Sequence, residues 1–219
     1  MRSMADLVRL AREERALLAD LFAEVGPDRP TLCEGWRTGD LLVHLLIRER
    51  RPDAMLGDVV PALGGWSRQA RRHYAGLPWS DQVAALRAGP PGWNPTGWGP
   101  LEGMSNGAEF FIHHEDVRRG GSDWRPRVLD APTRDAVVAL LRGPNPLTWR
   151  LRAFRAGVTA VLDDGTQLPL RRAAPSVLVH GEPAEVLLWL SGRPAGRVRL
   201  SGDHAAMRRF RDAGLGGQD

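Results

Sequence analysis

The sequence predicts an all-helical N-terminal part followed by a small α+β part. Three observations carry that expectation. Apolar residues recur at helical spacing through the first part of the chain, and Gly- and Pro-rich punctuation cuts that pattern into separate helices. Beyond Trp149 the pattern changes to short β-branched runs separated by tight turns.

The first helix is expected over 5–25, where Leu7, Leu10, Leu17, Leu18, Leu21 and Val25 form one face before Gly26-Pro27 stops it. Thr38 can cap a second helix over 39–50, with Pro52 beyond its end. Its stretch Leu41-Leu42-Val43-His44-Leu45-Leu46-Ile47 is apolar almost all round, as befits a helix buried in a bundle. Residues 63–88 read as a broken helical region, interrupted at Gly76-Leu77-Pro78, with Ser80 a cap for the turns that follow. A Gly/Pro-dominated loop carrying Trp93 and Trp98 fills 89–100. Ser105 or Asn106 is expected to cap a helix over 108–119 that stops at Gly120-Gly121, and 133–141 form one more. Gly143-Pro144-Asn145-Pro146 reads as a linker, which sets the expected domains at 1–145 and 150–219. Strands follow at 158–162 and 166–170 around Asp163-Asp164-Gly165, then at 176–180 and 197–200, with helices over 183–190 and 204–211.

Composition narrows the function classes. The 219 residues are 42% hydrophobic and 26% charged, with a mean hydropathy of −0.31, which suits a water-exposed globular chain. No run approaches the roughly 18 apolar residues of a membrane helix, and no secretory signal opens the sequence. Cys33 is the single cysteine, so an internal disulfide and a cysteine-rich zinc site are both excluded. A cytoplasmic protein is expected. The net charge is +4, and all 30 basic residues are arginine. The 26 acidic residues are interspersed with them, and no basic stretch alternates with aromatics. Neither nucleic acid nor membrane is expected as a partner, and the chain is expected as a monomer or homodimer.

Two helices carry residues that a core tolerates poorly. Glu109-Phe110-Phe111-Ile112-His113 puts a carboxylate and an imidazole one turn apart on one face, with apolar residues between. His44 lies in the most apolar helix of the chain. A buried carboxylate is costly unless something pairs with it. One divalent cation shared by His44, Glu109 and His113 would satisfy all three and leave a fourth position open, as in catalytic zinc sites. Asp116, three residues past His113, can receive the other ring N–H and fix the tautomer. The alternative is a histidine bonded to a backbone carbonyl and a glutamate paired with an arginine. Arg48, one turn past His44, can grip a substrate carboxylate or be ion-paired. Trp93 and Trp98 can roof the pocket or pack the loop onto the bundle. Cys33 can be reactive or a small buried group, and His114 points about 100° away from His113.

The segment from Thr31 to Leu45, Thr31-Leu32-Cys33-Glu34-Gly35-Trp36-Arg37-Thr38-Gly39-Asp40-Leu41-Leu42-Val43-His44-Leu45, resembles the "C-x-G-W-[ST]-x-x-D-L-x-x-H-L" stretch of the DinB-like, mycothiol-dependent maleylpyruvate isomerase superfamily. Glu109 to Asp116 resembles its "E-x-x-x-H-x-x-D". Glu109 to Arg119 carries in full the "E-F-F-x-H-H-E-D-V-R-R" of an actinobacterial subgroup described only as metal-binding. In the C-terminal part, Gly181-Glu182-Pro183-Ala184, Leu190-Ser191-Gly192-Arg193 and Ser201-Gly202-Asp203 resemble an appended sterol-carrier-like domain. The resemblance implies a DinB-like four-helix bundle followed by a sterol-carrier-like α+β domain. It implies zinc, or another divalent metal, on His44, Glu109 and His113, with mycothiol as a low-molecular-weight thiol cosubstrate. The activity it implies is isomerisation or S-transfer on a small electrophile. The substrate-binding arginines of the characterised isomerases have no match here. A non-catalytic metal- or ligand-binding protein and a metal-dependent hydrolase are the rival readings.

Overall fold

The apolar stripe of the N-terminal segment forms α1 (Arg2–Val25), with Leu7, Leu10, Leu18 and Phe22 buried. Gly26 ends it at φ +72, a left-handed conformation that a side chain disfavours, and its N–H returns to the Phe22 carbonyl. The structure, a computed structural model, describes residues 2–58, 60, 64–143, 151 and 155–215. Helix α2 (Thr38–Arg50) starts at Thr38 itself rather than being capped by it. The buried Thr38 hydroxyl donates to the Gly26 carbonyl (2.6 Å), while Asp40 accepts the Arg37 N–H (2.9 Å) in the first turn. A 3₁₀ turn (Pro52–Asp58) leads to α3 (Gly64–Ala75). Helix α4 (Trp79–Ala88) follows Pro78, with no side-chain cap; the Ser80 hydroxyl donates to Asp81 instead.

Helix α5 (Gly99–Arg118) begins well before the expected start at 108. Ser105 and Asn106 lie inside it rather than capping it. Pro100 is compatible with the first turn, where no N–H partner is needed. Of the glycines that disguised this helix, Gly103 has a packing reason. A Cβ at Gly103 would sit 2.8 Å from the Val8 nitrogen and 2.9 Å from the Leu7 carbonyl carbon, so the bare position lets α5 lie against the α1 backbone. Gly103→Ala is therefore expected to destabilise the protein by about 1–3 kcal/mol, the usual penalty for overpacking, as read by a urea midpoint.

Leu18, Ala19 and Phe22 of α1, Leu41, Leu42, Leu45 and Leu46 of α2, Val83 and Leu86 of α4, and Phe110 and Val117 of α5 share one core. The expected four-helix bundle is thus built from α1, α2, α4 and α5. Helix α3 covers Val43 and Ile47 on another side of α2.

The chain divides into two units, Met1–Arg125 and Pro126–Asp219. This moves the expected boundary at 145 upstream. The reason is α6 (Ala131–Arg142), whose apolar face, with Ala136, Val137, Leu140 and Leu141, packs against α7 and β2 of the second unit. Its cap is Asp130, which accepts the Thr133 N–H (2.9 Å). Pro144, Asn145 and Pro146 of the expected linker lie outside the described residues. The second unit contains β1 (Gly157–Val161), β2 (Gln167–Arg171), β3 (Ser176–His180), α7 (Pro183–Leu190), β4 (Arg199–Gly202) and α8 (His204–Asp212). The strand order is β2-β1-β3-β4, with β1 parallel to β3 and the other pairs antiparallel. Every side chain of α7 is buried, and the Trp189 indole donates to the Leu215 carbonyl (2.9 Å).

Candidate metal centre

Helices α2 and α5 bring three sequence-predicted residues to one point. His44 Nε2 lies 3.5 Å from Glu109 Oε1, and His113 Nε2 lies 3.4 Å from the same oxygen. All three ligand atoms fall within 4.8 Å of one another. The imidazole rings meet edge to face, with centroids 5.6 Å apart. Donors held about 2.0–2.1 Å from a tetrahedral zinc ion are separated by about 3.3–3.4 Å. The two nitrogen–oxygen spacings match that separation. They are long for hydrogen bonds to a carboxylate, and the same His113 ring makes a short one elsewhere: its Nδ1 lies 2.8 Å from Asp116 Oδ2. With Nδ1 engaged by a fully buried carboxylate, Nε2 is the ring nitrogen left to face Glu109 and any cation held there. The donor set therefore fits a divalent cation.

Electrostatics at this point run in opposite directions on the two partners. Burial pushes the Glu109 carboxyl up, but the facing His113 and His44 imidazoles and the Arg48 charge hold it well below the usual carboxylate range. Burial pulls His113 down, but Asp116, Cys33 and Glu109 hold it well above the usual imidazole range.

Sequence reasoning missed the role of Cys33. Its thiol donates to Asp116 Oδ2 (3.2 Å), the oxygen that also faces His113, and Leu32 N–H donates to the Asp116 carbonyl (3.0 Å). Cys33, His113 and Asp116 thus form a second cluster of ligand-type atoms. In that cluster the Asp116 carboxylate already joins the other two by hydrogen bonds. The α1–α2 loop closes over the end of α5 because Gly120 leaves room for the Pro30 carbonyl, into which any Cβ would run. The same loop carries Trp36, whose ring packs on His44 at 5.2 Å. Trp36 also lines a cleft of about 510 Å³ with Asp40, Val43, Arg72 and Trp79. The contact of Cys33 with α5 crosses 83 sequence positions, and its signal was its place in the Cys33–Trp36 segment that precedes α2.

Of the remaining candidates only Arg48 borders the cluster. Arg48 reaches α5, donating to Asn106 Oδ1 (2.6 Å) and to the Ser105 carbonyl (2.7 Å) and hydroxyl (2.9 Å), with Nε 3.3 Å from Glu109 Oε1. Trp93 and Trp98 are 59% and 55% exposed. The Trp98 indole donates to the Gly92 carbonyl within its own loop (2.9 Å). Among the described residues no hydrogen bond or ring contact joins either tryptophan to the three ligands. His114 turns to α1, where its Nδ1 lies 2.7 Å from the buried Glu14. Among the described residues no helix is long and apolar enough to cross a membrane.

No family model matches the chain, and no curated protein matches its sequence. Two solved structures share its fold. One is the crystal structure of a mycothiol-dependent maleylpyruvate isomerase, at TM-score 0.57 and 16% identity, covering 91% of this chain and 94% of that one. The other is a histidine-to-alanine mutant of the mycothiol-dependent maleylpyruvate isomerase, at TM-score 0.58 with the same identity and coverage.

Proposed function

We propose that this chain, built on the fold of a mycothiol-dependent maleylpyruvate isomerase, is a metal- and thiol-dependent isomerase or S-transferase acting on a small electrophile. The observation that carries the reading is the convergence of His44, His113 and Glu109, with both Nε2 atoms 3.4–3.5 Å from Glu109 Oε1 and the three ligand atoms within 4.8 Å of one another. Those residues would hold the ion, zinc first, and leave one position open. The bound cation would lower the pKa of a thiol placed there, so that a thiolate persists at neutral pH.

The chain's own residues prepare that position. Asp116 accepts a hydrogen bond from His113 Nδ1 and so directs Nε2 inward. Cys33 fixes the Asp116 carboxylate, and the Trp36 ring fixes the plane of His44. The cleft lined by Trp36 has the volume of a small-molecule site, and Trp36, which packs on His44, is its link to the ligand cluster.

Two measurements test this. Protein purified without added metal is expected to contain about one divalent ion per chain; less than half that value overturns the reading. In the cobalt-substituted protein, mycothiol is expected to change the visible absorption. An unchanged spectrum removes the thiol and leaves a metal-binding protein or a hydrolase. Loading is also expected to fall as pH is lowered from 8 to 5, because imidazole and carboxylate ligands must shed protons to bind. Asp116→Asn, which keeps the shape but weakens the acceptor, is expected to loosen metal by about 10–100-fold in a chelator competition.

A further inference from the structure

Arg48 is the cation nearest the ligand cluster, and it is not free to move. Its Nη1 and Nη2 are bonded to Asn106 and to both oxygens of Ser105, and its Nε faces Glu109 Oε1 at 3.3 Å. Asn106 is itself fully buried and held from the far side, since its Nδ2 donates to the Thr96 carbonyl (3.0 Å). Thr96 N–H donates to Asn94 Oδ1 (3.0 Å), and Asn94 Nδ2 donates to the Glu49 carbonyl of α2 (2.6 Å). The Gly/Pro-rich loop is thereby fastened to α2 and α5, and the guanidinium is fastened between them. Four of its contacts are with the protein, so little of its hydrogen-bonding capacity is left for a substrate carboxylate.

The charge of the cluster then follows. The groups described above that touch the ligands are Glu109 and Asp116, each −1, and Arg48, +1, while ligating imidazoles are neutral. A divalent ion brings this cluster to one positive charge in excess. We propose that Arg48 sets the charge of the molecule accepted at the open position: as a fixed cation beside Glu109, it makes the site favour a monoanion, such as a thiolate, over a neutral ligand. The inference rests on the divalent site of the preceding subsection and assigns a specificity-determining role within it. Without Arg48 the same sum is zero, and an anion gains no long-range attraction. Arg48 is mostly buried, so solvent screens this attraction incompletely.

The test uses the full cobalt-substituted chain at pH 8, with thiocyanate as the anionic probe and imidazole as the neutral one, both followed by visible absorption. Arg48→Met is expected to weaken thiocyanate about 10-fold and to leave imidazole within about 2-fold, with cobalt content unchanged. Arg48→Lys, which restores the charge without the fork of donors, is expected to recover most of the thiocyanate affinity. Equal weakening of both probes, or no weakening of thiocyanate, overturns the proposal. Should Arg48→Met fail to fold, Arg48→Gln carries the same comparison. A wild-type protein that holds no metal would instead overturn the underlying metal reading, so the two failures are distinct.

Discussion

Glu109→Gln is expected to lower metal affinity by more than about 100-fold, while His114→Gln leaves it within about 3-fold. The amide keeps the volume of the side chain but removes the anion that both Nε2 atoms face at 3.4–3.5 Å. Outer-shell substitutions alone cost about 10–100-fold, so loss of a direct ligand exceeds that range. His114 is one residue from His113 and equally buried, yet it is bonded to Glu14 on α1. The pair therefore separates a ligand effect from the general cost of disturbing α5. Inductively coupled plasma analysis after dialysis against a chelator reads the outcome; equal losses would mean that the ligand assignment is wrong.

Arg15→Met is expected to destabilise the fold by about 3–5 kcal/mol, because it leaves buried charge uncompensated. Arg15, only 7% exposed at its side chain, lies 2.6 Å from Glu49 and 3.3 Å from Glu102, with its guanidinium over the Phe110 ring at 4.6 Å. Glu102 retains Arg12 (2.8 Å) when Arg15 is lost, but Glu49 is fully buried and its ion pair is with Arg15. Burial already pushes the Glu49 carboxyl up despite Arg15. In the variant that carboxyl rises further, so the folded form must take up a proton or keep an unpaired anion. Uptake becomes easier as pH falls toward the range where the unfolded carboxyl also protonates. The gap between wild type and variant is therefore expected to narrow from pH 7 to pH 5 in urea titrations. A gap that widened on acidification would contradict this placement of Glu49.

The helical half was legible because its cores repeat at helical spacing: Leu7, Leu10, Leu18 and Leu41 to Ile47 announce α1 and α2 directly. What failed was local. Gly99, Gly103 and Gly107 made the first turns of α5 look like loop, and Gly103, whose purpose is contact with another helix, has no signature along the chain. The boundary failed similarly. The Gly143-Pro146 stretch has the composition of a linker, whereas the docking of α6 on α7 and β2 is a tertiary fact. At the site, the Glu109/His113 spacing and the cost of burying His44 pointed to the atoms that the fold brings together. The Cys33–Asp116 bond, which closes a separation of 83 positions, and the Arg48–Asn106–Thr96 chain were invisible, because neither follows a period.

The backbone contact between α1 and α5 at Gly103 reaches beyond stability. Helix α5 carries Glu109 and His113 while resting on α1, which contributes no ligand. A cation bound between α2 and α5 would thus restrain the N-terminal helix at second hand. Deuterium uptake by α1 amides should slow when the protein is loaded, and isotope exchange there would report occupancy of a centre that this helix never touches.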